Sequence, residues 1–158
     1  MAASGMTIEP ARPEDAAAVA ACVNAAYARY LPRMGSKPAP MLADYPAEIA
    51  AGRVHVLRDG DALVGLIVLI AEPDHLFIEN VAIDPAAQGR GLGRRLLDFA
   101  ESEARRLGLP ELRLYTNELM TENLGLYAHL GYLEVDRRLD EGYRRVFMVK
   151  RLGASRTA

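Results

Sequence analysis

The feature that most constrains the fold is a short apolar run, a glycine-rich turn and a long amphipathic segment in residues 76–107. The run at 76–83 has the length of a buried strand. Leucine and alanine then recur at helical spacing over 92–107, and Gly108 is a stop signal. Because the alternating segment 112–115 follows, we predict a strand, a crossover helix and a second strand parallel to the first.

The turn between the first strand and the helix has the sequence QGRGLGR, at residues 88–94. Glycine lets a ligand approach the backbone, and the first turn of a helix offers N–H groups and a positive dipole end, so we expect a phosphate site. The spacing matches neither the Walker loop, which ends in Gly-Lys-Ser/Thr, nor the dinucleotide motif G-x-G-x-x-G. A turn whose glycines serve only for turning is the alternative interpretation.

The rest of the chain supplies strands and helices in an α+β order. We predict further strands at 6–9, 54–57, 62–71, 132–139 and 143–152. We predict helices from Pro13 to Pro32, from about 41 to 52, and over 122–130 with Thr121 as the N-cap. The loop 33–40 and the hairpin turns at Asp59-Gly60 and at 140–142 separate these elements.

Composition indicates one globular domain over residues 1–158, with a core at about 6–152, and excludes several classes of function. The chain is 51% hydrophobic and 25% charged, which is ordinary for a globular protein. A net charge of −2 gives no sign of nucleic-acid binding. We expect the single Cys22 to be a buried thiol, and the three scattered histidines show no metal-ligand spacing. The arginine pairs, including Arg144-Arg145, are interpreted as solvated faces.

The N-terminal MAASG has no charged region followed by an apolar one, and no apolar run is long enough to cross a bilayer. We therefore expect no membrane partner and a cytoplasmic location, with a frayed tail after Leu152. A homodimer is compatible with the sequence.

Two separated motifs resemble one enzyme family. Gln88, Gly91 and Gly93 fill the pattern Q/R-x-x-G-x-G/A, and Asn123 with Tyr127, followed by Gly131-Tyr132, fills N-x-x-x-Y…G-F/Y. Both are similar to motifs of the GCN5-related N-acetyltransferases, and the resemblance covers roughly residues 6–152. It implies the acyl-CoA N-acyltransferase fold, with a mixed, mostly antiparallel sheet of about seven strands, a parallel strand–helix–strand unit and flanking helices.

The resemblance also implies direct transfer of an acetyl group from acetyl-CoA to an amine of a small molecule or a peptide N-terminus, with no metal. The backbone of 81–83 would hold the pantetheine arm, residues 88–94 the pyrophosphate, and Tyr127 would protonate the departing thiolate. The residues expected to contact acetyl-CoA are Val81, Ala82, Ile83, Gln88, Gly89, Arg90, Gly91, Leu92, Gly93, Arg94, Asn123 and Tyr127.

Glu79 is a carboxylate inside an otherwise apolar strand, on the face that it shares with Phe77, Val81 and Ile83. Burial raises the pKa of a carboxyl group, which suits a base that works near neutral pH. Glu79 is therefore the candidate catalytic base, and Tyr127 is the candidate catalytic acid. The alternative is a structural carboxylate that pairs with an internal arginine or positions the substrate.

Acceptor specificity in the resembled family depends on the early helices, the loop between them and the terminal hairpin. In this chain the aromatic, basic and long apolar side chains of those segments predict an acceptor with a carboxylate or an aromatic ring. The candidate acceptor-binding residues are Tyr27, Tyr30, Arg33, Met34, Lys37, Met41, Tyr45 and Tyr143. Two other functions remain open, a non-catalytic acyl-CoA sensor or partner module of the same fold and a nucleotide-binding α/β protein, and the wrong glycine spacing counts against the latter.

Overall fold

A computed structural model describes residues 5–153. The strands are β1 Met6–Pro10, β2 Val54–Asp59, β3 Ala62–Ala71, β4 Leu76–Ile83, β5 Glu111–Asn117, β6 Leu133–Asp140 and β7 Tyr143–Arg151. The α-helices are α1 Ala16–Tyr27, α2 Leu31–Met34, α3 Tyr45–Ala50, α4 Leu92–Arg106 and α5 Thr121–His129. Residues 1–4 of the N-terminal MAASG and the expected frayed end at 154–158 lie outside the described residues.

The strands form one seven-stranded mixed sheet in the order β1-β2-β3-β4-β5-β7-β6. β4 and β5 run parallel, with Leu76 opposite Leu112, and α4 is the crossover between them. The pairs β1–β2, β2–β3, β5–β7 and β6–β7 are antiparallel. This architecture confirms the predicted mixed, mostly antiparallel sheet with its parallel strand–helix–strand unit.

The described chain divides into two compact units. Unit 1 contains residues 5–69 and 80–97, and unit 2 contains residues 70–79 and 98–153. Unit 1 buries apolar side chains of α1, β2 and β3, including Val23, Val56 and Leu66. Unit 2 buries apolar side chains of β5, β7 and the second half of α4, including Leu114 and Met148. Each unit therefore has its own apolar core.

The burial pattern of β4 follows the predicted period of two. Leu76, Ile78, Asn80 and Ala82 are buried, whereas Phe77, Glu79, Val81 and Ile83 are only half-buried. The face that carries Glu79 is thus the more open one, because each residue along a strand points opposite to its neighbour.

Three local predictions were wrong. Pro32 does not end the first helix: α1 stops at Tyr27, and Pro32 lies in the first turn of α2, where its missing N–H does no harm. Thr121 is the first residue of α5, and Met120 occupies the N-cap position. Arg145 is not on a solvated face, since only 4% of its surface is exposed.

The terminal hairpin turns through Glu141 and Gly142, whose φ angles of +50° and +85° are those of a two-residue loop matched to the twist of the strands. Within residues 5–153, no helix is both long and apolar enough to span a membrane.

Candidate active site

The loop after β4 adopts a backbone conformation that favours glycine. Gly89 and Gly91 have φ angles of +84° and +73°. A Cβ atom at either position would meet no atom within 4 Å. The backbone conformation, and not crowding by the protein, therefore requires glycine, and the space beside both residues is open to a ligand.

Helix α4 begins where this loop ends. The Arg95 N–H donates to the Gly91 carbonyl oxygen at 3.1 Å, which opens the helical ladder. The N–H groups of Leu92, Gly93 and Arg94 precede that ladder and point toward the loop. With the positive end of the helix dipole, residues 88–94 form a cradle of the kind that binds phosphate, which we call the phosphate cradle.

The side chains of Gln88 and Arg90 tie the phosphate cradle to neighbouring strands. Gln88 Nε2 donates to the Ile83 carbonyl at 3.3 Å and so ties the loop to the end of β4. Arg90 Nη2 donates to Asp59 Oδ2 at 3.2 Å, and both side chains are well exposed. Exposed ion pairs contribute little to stability, so exchanging Asp59 for a phosphate oxygen would cost Arg90 little.

Asn80 organises a neutral hydrogen-bond network in unit 1, here called the Asn80 network. The residue is 5% exposed, and its Oδ1 accepts from Tyr27 Oη at 2.7 Å while its Nδ2 donates to Tyr45 Oη at 3.0 Å. Tyr45 donates onward to the Pro40 carbonyl at 2.6 Å, and Tyr27 Oη lies 3.2 Å from the Val81 carbonyl. The network therefore fixes the amide of Asn80 and the adjoining backbone of β4.

Gly65 on β3 lets the backbone of β4 pack closely. A methyl group at Gly65 would lie 2.8 Å from Ile83 Cδ1 and 3.0 Å from the Ala82 carbonyl oxygen. The second contact is with backbone, which cannot rotate away as a side chain can. Gly65 and the Asn80 network thus both position the segment 81–83, which was predicted to hold the pantetheine arm.

Glu79 lies in unit 2, on the face of β4 that also carries Phe77. β4 and β5 are paired in register up to the residues just before Glu79 and Tyr115. The ring centroids of Phe77 and Tyr115 are 5.4 Å apart. Burial raises the pKa of the Tyr115 hydroxyl, the Arg145 charge opposes this, and the Glu79 charge adds to it. Tyr115 is therefore a protonated hydroxyl at neutral pH, within the field of Glu79.

Arg145 is a buried cation in unit 2. Its guanidinium carbon lies 4.0 Å from the centroid of the Tyr115 ring and 5.3 Å from that of Tyr143. Its Nη1 donates to Asp140 at 2.7 Å and to Glu141 at 3.2 Å. We call these five residues the Arg145 cluster. Burial alone lowers the pKa of Arg145, but its hydrogen bond to Asp140 and the other contacts raise it overall, so the residue stays charged.

Tyr127, the candidate acid, is 8% exposed on α5 and packs edge-on against Tyr132, with ring centroids 5.8 Å apart. Burial raises the pKa of the Tyr132 hydroxyl, and the nearby Tyr127 raises it further by a smaller amount. Tyr132 therefore stays protonated at neutral pH. Asn123 lies one helical turn before Tyr127, and its Nδ2 is 3.7 Å from Met120 Sδ. The structure therefore places Tyr127 in a largely enclosed aromatic setting within unit 2.

The candidate acceptor-binding residues fall into separate groups. Tyr27 and Tyr45 belong to the Asn80 network. The ring of Tyr30 lies beneath the guanidinium groups of Arg29 and Arg33, at 4.9 Å and 5.2 Å. Met34 ends α2, immediately before Gly35. Tyr143 belongs to the Arg145 cluster, and it remains a prediction that any of these side chains contacts an acceptor.

Cys22 is buried in α1, as predicted. Burial and the charge of Asp84 raise the pKa of its thiol to about 12, so it is no nucleophile at neutral pH. Among residues 5–153, no three histidine, cysteine or acidic side chains are grouped to hold a metal ion.

Sequence reasoning missed Asn80, Tyr115 and Arg145 as organising residues. Asn80 had a visible signal, because it is the one polar residue among the alternating positions 76, 78, 80 and 82 of an apolar strand. Arg145 had none, because its partners Tyr115 and Asp140 come from two other strands.

Comparison with known proteins identifies the family. The acetyltransferase (GNAT) family profile matches residues 21–132, which is most of the chain. A mycothiol acetyltransferase of Jonesia denitrificans is 36% identical over 80 residues, covering 49% of this chain and 26% of that protein. The chain thus spans about a quarter of the length of this curated relative.

Two solved structures share the fold over nearly the whole chain. The PaiA N-acetyltransferase of Thermoplasma acidophilum, in complex with coenzyme A, superposes with a TM-score of 0.79 at 17% identity and covers 93% of this chain and 99% of its own. The ribosomal-protein-S18-alanine N-acetyltransferase of Escherichia coli gives 0.75 at 20% identity, with 97% and 98% covered. By its profile match and its fold, the chain belongs to the GNAT family of acetyltransferases.

Proposed function

We propose that the protein transfers an acetyl group from acetyl-CoA directly to a primary amine of a small molecule or of a peptide N-terminus. The observation that carries this proposal is the phosphate cradle. Its two glycines have positive φ angles with open space beside them, at the start of a helix, within the stretch that the family profile matches. The donors of this cradle suit the pyrophosphate of acetyl-CoA.

The residues of this chain have distinct tasks in that reaction. Acetyl-CoA supplies the acetyl group, and the backbone of 81–83, held by the Asn80 network and Gly65, would bind its pantetheine arm. The acceptor amine must lose a proton, and Glu79 is the candidate base. The departing thiolate must gain one, and Tyr127 is the candidate acid.

A non-catalytic acyl-CoA-binding module of the same fold is the second candidate. It would need the phosphate cradle but neither Glu79 nor Tyr127. Since both ionisable groups are present on the predicted elements, we favour the enzyme. A cytoplasmic location and a homodimer remain predictions from the sequence.

The decisive experiment is a screen of amines with acetyl-CoA, in which released coenzyme A is detected as free thiol and acetylated product by mass spectrometry. A thermal-shift titration with acetyl-CoA, and with NAD as the matched control, should show stabilisation by acetyl-CoA alone. Binding of acetyl-CoA without transfer to any amine would favour the module, and no binding would exclude both functions.

A further inference from the structure

The Arg145 cluster has the construction of a recognition site rather than of a surface ion pair. Only 4% of the arginine is exposed, yet its two carboxylate partners lie in or beside the hairpin turn and are much more open: the side chain of Asp140 is 36% exposed and that of Glu141 is 75% exposed. Burying a cation costs several kcal/mol of desolvation, which exposed partners offset poorly. Stability alone therefore gives little reason for an arginine here.

The hydrogen bonds of Arg145 use only part of its donor capacity. A guanidinium carries five N–H donors, and Nη1 provides two of them. Those two serve Asp140 and Glu141. Within the described part of the chain, Nε and Nη2 make no hydrogen bond. Nε and Nη2 together carry three N–H donors, and two of these share one edge of the stacked guanidinium, where they are available to a ligand oxygen.

The surroundings determine which oxygen fits. Tyr115 links Arg145 to the candidate base, because its ring stacks on the guanidinium and its hydroxyl lies in the field of Glu79. Two carboxylates, those of Asp140 and Glu141, already bind this one cation. A further carboxylate would be repelled, whereas a neutral carbonyl oxygen accepts the same hydrogen bonds without that repulsion. The neighbouring Arg138 does not change the balance of charges around Arg145, since Arg138 has its own ion-pair partner, Asp136.

Resting on the proposed acetyltransferase function, we propose that Arg145 donates from Nε and Nη2 to the carbonyl oxygen next to the acceptor amine. The acceptor class is therefore an α-amino amide, as at the N-terminus of a peptide, rather than a free amino acid or a simple amine. The rings of Phe77, Tyr115 and Phe147, with neighbouring centroids 5.4 Å and 5.5 Å apart, give an apolar wall for the first side chain of such an acceptor.

The test uses three acceptors that share one phenylethyl group: phenylalaninamide, phenylalanine and phenethylamine. For each, kcat/KM is calculated per neutral amine, so that differences in amine pKa do not contribute. We expect the amide to exceed both of the others by about tenfold in the wild type, and Arg145→Met to remove that advantage while leaving phenethylamine nearly unchanged.

Arg144→Met is the matched control, because Arg144 immediately precedes Arg145 on β7 and its side chain is 71% exposed. It should keep the wild-type order of acceptors. Thermal unfolding of both variants, and Arg145→Lys in case Arg145→Met does not fold, separates recognition from folding. Even without a folded variant, the wild-type order decides, since equal rates for amide and amine would overturn the proposal.

Three further outcomes would also overturn it. Phenylalanine as the best acceptor would assign Arg145 to a carboxylate, and an equal loss for all three acceptors in Arg145→Met would make its role structural. If acetyl-CoA binds but none of the three compounds is acetylated, the inference fails, whereas the proposed function fails only if the wider screen of amines also finds no acceptor.

Discussion

Two polar groups are buried in this protein by opposite means. The Asn80 network of unit 1 joins one amide, two phenol hydroxyls and backbone carbonyls, all of them neutral. The Arg145 cluster of unit 2 joins one guanidinium to two carboxylates across aromatic rings. Both central side chains are at most 5% exposed. They therefore differ in charge and in how many of their hydrogen-bond donors have partners, and not in how deeply they are buried.

This difference indicates different tasks. A neutral network avoids the desolvation cost of a charge and, once its donors and acceptors are matched, fixes a backbone. That suits the segment 81–83, which is predicted to hold a pantetheine arm. A buried cation with unused hydrogen-bond donors lowers stability when no ligand is bound, because its desolvation is not fully offset, and the same donors can recognise a ligand specifically. We therefore expect changes in unit 1 to act on cofactor affinity or stability, and changes in unit 2 to act on turnover and acceptor choice.

The largest effect is expected from Tyr127→Phe in unit 2. If Tyr127 protonates the thiolate, kcat should fall by roughly 10²–10⁴-fold, while the affinity for acetyl-CoA stays nearly intact. Steady-state kinetics and calorimetric titration of acetyl-CoA give the two quantities. Tyr132→Phe, which removes the neighbouring buried hydroxyl, is the control. An unchanged kcat, with chemistry shown to limit turnover, would reduce Tyr127 to a packing residue.

Glu79→Gln keeps the shape of the side chain and removes the proton acceptor. We expect about a 10²-fold loss of kcat/KM below the pKa of the acceptor amine. The loss should shrink at high pH, where neutral amine becomes abundant without a base. A structural role predicts instead a lower Tm with a loss that does not depend on pH. The pH–rate profile and the thermal stability of the variant, measured together, decide between them.

Gly91→Asp tests the prediction that changes in unit 1 act on the affinity for acetyl-CoA. The variant places a negative charge in the phosphate cradle and a side chain on a backbone with φ of +73°. The Kd for acetyl-CoA should rise at least about tenfold, since a shift of about 1.4 kcal/mol already produces that change. Gly91→Ala carries the backbone strain without the charge, so the difference between the variants measures the electrostatic part. Binding of wild-type strength by a folded Gly91→Asp would contradict the phosphate assignment.

Breaking the Asn80 network should cost stability rather than chemistry. Asn80→Ala leaves the hydroxyls of Tyr27 and Tyr45 without the amide, and we expect a loss of about 2–4 kcal/mol in the free energy of unfolding. Because the groups are neutral, the loss should be the same in low and high salt, as measured by denaturant unfolding. Tyr27→Phe and Tyr45→Phe should each reproduce part of it. A salt-dependent loss would show that the network is coupled to charges.

Local patterns determined which parts of this molecule the sequence could predict. The apolar run of β4 and the turn at Asp84 and Pro85 indicated the bounds of this strand, and the glycine spacing indicated the loop in which Gly89 and Gly91 have positive φ angles. The prediction of a solvated face was wrong for Arg145 although its neighbour Arg144 is exposed. The side chain of Arg145 is enclosed by aromatic rings from β5 and β7. Such enclosure depends on which strands become neighbours, and no local pattern contains that information. The true cap of α5 was missed for a similar reason, since Thr121 looked suitable on propensity alone.

The smallest effect is expected at an ionic contact of unit 1. Asp15 Oδ2 accepts from the Arg12 backbone N–H at 2.8 Å and from Arg58 Nη2 at 2.7 Å. Burial alone raises the pKa of Asp15, but these two donors outweigh it, and the net pKa is lowered. The carboxylate therefore contributes stability that is fully present above its unfolded pKa of about 3.9 and is lost as the pH falls through the lowered folded value.

Asp15→Asn should consequently cost about 1–2 kcal/mol in the free energy of unfolding at pH 7. The difference from the wild type should narrow below about pH 4, as the wild-type carboxyl becomes protonated and loses the same interaction. Urea unfolding of both proteins between pH 7 and pH 3 measures this, and Glu14→Gln on the same turn is the control. A difference that stays constant down to pH 3 would mean that the hydrogen-bond geometry, and not the charge of Asp15, provides the stability. Asp15 would then stabilise unit 1 in the same way as the neutral Asn80 network does, and not as the charged Arg145 cluster does in unit 2.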